Sequence, residues 1–180
     1  PIETEKTSFG EVYELINGIV EELDWLAKIN GHNIIVSEIC SDYNKRFINI
    51  NREYFQKAMS EVLVNSMKFS EADTDILIIL SADDDKYEIS VINKPNSLSK
   101  DIIGIPAEYE NLIFEPFYRI NNFVFEDYKT LDFGLGLTLV KQIINKQGGD
   151  ISMFNITDSL GSKDTPESRV SCKISYPLDQ

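Results

Sequence analysis

Residues 51–70 read NREYFQKAMSEVLVNSMKFS, and helical spacing gathers Phe55, Ala58, Met59, Val62, Leu63 and Phe69 into one apolar arc. A helix with such an arc packs against a sheet. At its border Glu61, Asn65 and Lys68 fall within roughly 60° of one another. A solvated helix edge would carry interchangeable Lys, Glu and Gln there. A carboxylate, a carboxamide and an ammonium in one row also suit a base, a metal and a phosphate, and this stretch by itself leaves both readings open.

Upstream, Val12, Leu15, Ile16, Ile19, Val20, Leu23 and Leu26 recur at helical spacing between Ser8 and Ile29, which predicts an amphipathic helix closed by Asn30 and Gly31. Two β-rich runs follow, HNIIVSEIC at 32–40 and RFINI at 46–50; Ser41, Asp42 and Asn44 between them predict a hairpin. A second hairpin is predicted from Asp75–Ser81 and Lys86–Asn93, the latter strand turning Tyr87, Ile89 and Val91 inward. Residues 94–104, KPNSLSKDIIG, read as a loop leading to a short helix. The segment 120–133 has no clean period and reads equally as a mobile lid or a small interaction surface. Gly134 to Gly136 open a helix, LTLVKQIINKQ, that Gly148 and Gly149 close, and DISMFNIT and SRVSCKISY are two last strands around a loop expected to be disordered. Helix, hairpin, helix, hairpin, helix, hairpin makes an α/β sandwich with helices on one sheet face. Residues 1–30 are read as a connector helix leading into one domain at 31–180.

The chain has 180 residues, 42% of them hydrophobic, with 10 Phe, 8 Tyr and Trp25, enough for a core of its own. Thirty acidic against 17 basic residues give a net charge of -13, a field that repels nucleic acid and anionic membrane. An acidic protein that binds a polyanion needs a metal and local dipoles. Cys40 and Cys172 stand far apart in strand-like runs, as buried free thiols of a reducing compartment do. The longest apolar run is ILIIL at 76–80, and PIETEKT has no basic segment before an oily one, so neither a membrane span nor a signal peptide is expected. The expected location is cytoplasmic, and a start at Pro1 is expected of a fragment.

Glycines at a helix start let the backbone approach phosphates, which the free N–H groups and the dipole there attract. Gly134-Leu135-Gly136 alone is a weak signal, since a tight turn feeding a helix reads the same way. Four boxes in one order are a strong one: ExxxNxxKFS at Glu61–Ser70, GIP at Gly104–Pro106, FEPFYR at Phe114–Arg119 and GLGLTLVKQI at Gly134–Ile143.

Together these boxes resemble the catalytic and ATP-binding domain of sensor histidine kinases, within the Bergerat-fold superfamily of Hsp90-like, MutL-like and gyrase-like ATPases. FEPFYR directs the likeness to the kinases. The resemblance implies a mixed, mostly antiparallel sheet with helices on one face, ATP and Mg²⁺ as ligands, and 120–133 as lid. It implies Asn65 as Mg²⁺ ligand, Lys68 as phosphate contact, Phe69 as neighbour of the adenine and Glu61 as general base. Gly134, Leu135 and Gly136 would give backbone contacts to phosphate, with Thr138, Ile105, Phe117 and Arg119 completing the nucleotide site. The family's adenine-reading aspartate falls at Asn93, with Pro95 where a glycine belongs; Asp101 is the rival. The family's acceptor histidine lies on a helical dimerisation domain, and this chain lacks that phrase. Its one histidine, His32, is read as a solvated turn residue. The implied partners are therefore a histidine-bearing dimerisation domain outside the chain and, indirectly, a response-regulator receiver domain. The alternative is a degenerate kinase-like module that holds nucleotide or a protein without phosphotransfer.

Overall fold

A computed structural model describes residues 2–38, 45–99, 102–118, 134–158 and 167–179. The lid expected at 120–133, together with Cys40, Asp101 and Arg119, lies outside the described residues.

The strands are β1 (Glu5–Ser8), β2 (Ile34–Glu38), β3 (Phe47–Ile50), β4 (Ile76–Ala82), β5 (Lys86–Asn93), β6 (Ser97–Ser99), β7 (Ile102–Ile103), β8 (Asp150–Asp158) and β9 (Glu167–Pro177). The helices are α1 (Phe9–Ile29), α2 (Arg52–Phe69) and α3 (Gly136–Lys146), with 3₁₀ turns at Ala107–Tyr109 and Leu112–Phe114. The main sheet runs β2-β4-β5-β9-β8, parallel between β2 and β4 and antiparallel elsewhere. Its helix-side residues, among them Ile76, Ile78, Ile89, Val91, Cys172 and Ile174, are buried with Phe9, Val12 and Ile16 of α1, Phe55, Met59 and Leu63 of α2, and Val140 and Ile144 of α3. Each such side chain contributes about 1.5–3 kcal/mol on burial. Helix α1 thus shares one core with the sheet. Phe69 leaves the predicted apolar arc: it ends α2 at 38% exposed.

The first predicted hairpin does not form. β2 pairs in parallel with β4, Ile34 opposite Ile76 and Val36 opposite Ile78, and β3 with α2 makes the crossover between them. β4 is apolar on both faces, and with β2 on one side and β5 on the other it has no bare edge. β3 instead pairs antiparallel with β1, a short polar strand that the sequence reading missed. Residues 94–104, expected as a loop, contain the small β6–β7 hairpin.

His32 is buried rather than solvated. Its Nδ1 lies 2.9 Å from the Thr74 carbonyl oxygen and its Nε2 3.2 Å from that of Met67, tying the approach to β2 to the last turn of α2. Both ring nitrogens face carbonyl oxygens, so neither is presented to a phosphoryl donor. Cys172 is a buried free thiol that burial pushes up to about 12, beyond reactivity at neutral pH.

Helix α1 starts on a capping box: the Ser8 hydroxyl accepts from the Glu11 N–H, and the Glu11 carboxylate accepts from the Ser8 N–H at 2.8 Å. Arg52, in the first turn of α2, donates to the same carboxylate at 2.7 Å, so one acid joins the starts of two helices. The Ser8 N–H and then the Arg52 guanidinium hold the Glu11 carboxyl down from 4.5 to about 2. A carboxyl depressed on folding contributes stability above its unfolded value, and that stability is lost as pH falls toward the folded value. The stability gap between wild type and Glu11→Gln should therefore be full above about pH 5 and vanish on acidification to about pH 2. Urea midpoints at several pH values measure it, and a gap independent of pH would remove this role of Glu11.

Candidate functional site

The described polar residues of the four boxes gather around the last two turns of α2. Glu61 is exposed, Asn65 half-buried and Lys68 buried at 4% exposed. α3 lies antiparallel beside α2 and is fastened to it at the far end. There the Gln147 side chain accepts from the Asn51 N–H at 2.7 Å and donates to the Ile143 carbonyl at 3.2 Å. At the near end α3 begins against the polar row: a Cβ added to Gly136 would stand 2.9 Å from Glu61 Oε2 and 3.8 Å from Asn65 Nδ2. The glycine is required there by space. Glu61 consequently sits beside the positive end of the α3 dipole, where a carboxylate is favoured.

The α3 N-terminus is open. Its cap residue is Leu135, an exposed side chain that makes no capping hydrogen bond. The Thr138 hydroxyl in the same first turn is buried without a hydrogen-bond partner. Free N–H groups and an orphaned hydroxyl, on a helix that starts in glycine, suit an anion with several acceptor oxygens. Gly134 turns the chain into this helix at φ +69, and its carbonyl accepts from the Phe117 N–H at 3.0 Å. A Cβ on Gly134 would lie 2.9 Å from the Phe117 carbonyl carbon and from the Tyr118 oxygen, both backbone atoms. Phe117 itself adopts φ 64 with its ring 74% exposed, an uncommon conformation for a bulky residue. Lys141 of α3 stands 5.0 Å from the Phe114 ring centroid, so the aromatic box and the glycine box are packed as one unit.

Asn93 ends β5 and is 5% exposed. Past Asn93 the chain runs along the end of α2: Lys94 accepts from the Glu71 N–H and Asn96 donates to the Phe69 carbonyl at 2.8 Å. Phe69 and Asn93 are thereby brought near each other. Pro95 faces Ser70 in a bridge between these segments. The GIP loop is held by a residue absent from the predicted set. Asn155 of β8 accepts from the Ile105 N–H at 2.9 Å and donates to the Ile105 carbonyl at 2.5 Å. Gln147 was missed as well. For Asn155 a signal existed: it follows Ile151 and Met153 on the inward-facing parity of β8, where an apolar residue belongs.

Glu61, Asn65, Gly134, Gly136, Phe117 and Thr138 gather at the start of α3. Phe69 and Asn93 stand at the ends of α2 and β5, and Ile105 is held by Asn155. Phe69 lies one turn beyond Asn65 on α2, about 6 Å along the axis. Among the described residues no group of three or more His, Cys, Asp or Glu side chains is placed to hold a metal ion. A cation here would need further oxygens from its ligand or from water, which is the habit of Mg²⁺. Among the described residues, no helix is long and apolar enough to cross a membrane.

The model of the histidine kinase-, DNA gyrase B- and HSP90-like ATPase family matches residues 50–179. The probable sensor protein PcoS of Escherichia coli is 26% identical over 142 residues, 79% of this chain and 26% of that protein. The sensor protein VanSC of Enterococcus gallinarum is 28% identical over 103 residues, 57% of this chain and 26% of its own length. The chain thus spans about a quarter of these curated relatives. In fold it is similar to the mycobacterial sensor histidine kinase MprB, with a TM-score of 0.69 at 20% identity over 97% of each chain.

Proposed function

Because the chain belongs to the histidine kinase-, DNA gyrase B- and HSP90-like ATPase family, we propose that it is the ATP- and Mg²⁺-binding catalytic domain of a cytoplasmic two-component sensor histidine kinase. In this reading it passes the γ-phosphoryl of ATP to a histidine on a separate dimerisation domain, from which a response-regulator receiver domain is served. The observation that carries the reading is the open start of α3 against Glu61 and Asn65, with the Thr138 hydroxyl unpaired beside it.

In that reading the N–H groups of the first α3 turn, Thr138 and Lys68 hold phosphate oxygens, and Asn65 offers its carboxamide oxygen to Mg²⁺. Bound Mg²⁺ supplies neutralisation of phosphate charge. Asn93 accepts from the adenine amino group while the half-exposed Phe69 ring and Ile105 flank the base. Phe117 and Leu135 complete the rim. Glu61 takes the N–H proton of the acceptor imidazole while the other, unprotonated ring nitrogen attacks the γ-phosphorus, and ADP leaves as the bond from that phosphorus to the β–γ bridging oxygen breaks. Calorimetric titration with Mg-ADP tests the reading. Saturable binding is expected; a folded chain that takes up neither Mg-ADP nor Mg-ATP overturns it.

Asn93 also sets an affinity expectation. A hydrogen bond involving an ion contributes about 1.5–3 kcal/mol and a neutral one about 0.5–1.5 kcal/mol. Asn93→Asp should therefore tighten Mg-ADP several-fold to about tenfold. The nucleotide-free variant should also melt lower, since it buries an unpaired carboxylate. Asp101→Asn should change little. Binding abolished by Asp101→Asn, with Asn93→Asp silent, would move the adenine reader to Asp101.

A further inference from the structure

The sheet register sets three residues in one row on the helix side: Asn93 of β5 opposite Val170 of β9, and Val170 opposite Asn155 of β8. Adjacent strands are about 4.8 Å apart, so the two carboxamides flank Val170 at about 10 Å from backbone to backbone. Asn93 is buried, whereas the carboxamide of Asn155 makes two hydrogen bonds to one residue, Ile105. The grip is reciprocal in chemistry, an acceptor for the N–H and a donor for the carbonyl, so it fixes the peptide planes on both sides of Ile105 as a strand partner would. Gly104 accommodates it: the residue takes φ +81, and a Cβ there would overlap Asn155 Oδ1. Ile105 is buried under this grip.

We infer that Asn155 is a positioning residue for the base end of the nucleotide site, holding the Gly104–Ile105 backbone over Val170 beside Asn93 so that the adenine pocket exists before nucleotide arrives. The inference rests on the nucleotide reading given above. Asn155 touches no ligand in it. It acts through the Ile105 backbone, and its influence should stop at the base end, because the phosphate end is built from α2 and α3, held together by Gln147 and the Gly136 contact instead.

The purified chain is compared with Asn155→Ala by three measurements. Hydrogen exchange of the Ile105 amide should quicken in the nucleotide-free variant, while amides in the middle of β9, such as Ile174, keep wild-type protection. Affinity for Mg-ADP should fall about threefold to tenfold, the effect of one or two neutral hydrogen bonds. Affinity for Mg-pyrophosphate, measured by competition, should stay at the wild-type value, because that probe lacks a base. A loss shared equally by Mg-ADP and Mg-pyrophosphate, or exchange quickened throughout β9, makes Asn155 a general folding residue and overturns the inference. Wild-type Mg-ADP affinity in the variant overturns it too and leaves the nucleotide reading standing. Failure of the wild type itself to bind Mg-ADP sinks the nucleotide reading and this inference with it.

Discussion

Replacing Glu61 by Gln should leave Mg-ADP affinity nearly unchanged while slowing phosphoryl transfer, to a histidine-bearing dimerisation domain supplied in trans, by about 10²- to 10⁴-fold. The side chain is exposed and its Oε2 faces Gly136, so an amide of the same size fits the same space. What the amide cannot do is accept a proton from imidazole. A base acts in the transition state and contributes little to ground-state binding, which is why the effect should fall on turnover. The α3 dipole, which a carboxylate complements and an amide does not, affects the stability of the nucleotide-free fold, and near a surface that contribution is about 0.3–1 kcal/mol. The two effects differ by several kcal/mol and are separable in one experiment. Equal losses in binding and transfer would make Glu61 structural.

The parts of this site legible in the sequence are those written in one local period. Glu61, Asn65 and Lys68 form a row because a helix repeats every 3.6 residues, and the buried arc of Phe55, Ala58, Met59, Val62 and Leu63 follows from the same period. Gly136 was legible as a helix opener, and the structure adds the second reason for it, the Glu61 carboxylate in the space of its missing side chain. What the sequence hid are contacts between distant segments. Strands β2 and β3 look like a hairpin because they are neighbours with turn residues between them, yet their partners are β4 and β1. Local chemistry cannot reveal that ILIIL needs a strand on each side. His32 follows a glycine and reads as solvated; the Met67 and Thr74 carbonyls that bury it lie 35 and 42 residues away. Asn155 meets Ile105 across 50 residues, and its one trace in the sequence is a polar residue on an apolar parity.

Chelating the metal should weaken nucleotide binding strongly, and Asn65→Ala should reproduce most of that loss. A chain of net charge -13 repels a nucleotide polyanion at long range, and the described residues offer no carboxylate cluster to gather cations in compensation. In the proposed reading the α3 dipole and Lys68 supply part of the attraction at the phosphate end. A divalent cation would supply the rest, provided the protein fixes where it sits. Asn65 is the residue proposed to do so: it is half-buried and one turn beyond Glu61, with its carboxamide facing Gly136. A single protein ligand suits Mg²⁺, which fills its other positions with phosphate oxygens and water. Removing that ligand costs a charge-assisted contact of about 1.5–3 kcal/mol, hence on the order of tenfold to a hundredfold in Mg-ADP affinity. The variant's remaining binding should also depend less on Mg²⁺, which calorimetry with and without chelator reads directly. Asn65→Asp, with the same shape and an ionised oxygen, should restore metal-dependent binding where Ala abolishes it. An affinity for nucleotide that ignores chelation in the wild type would show that Asn65 holds no metal, and would leave the dipole of α3 and Lys68 as the anion's attractors.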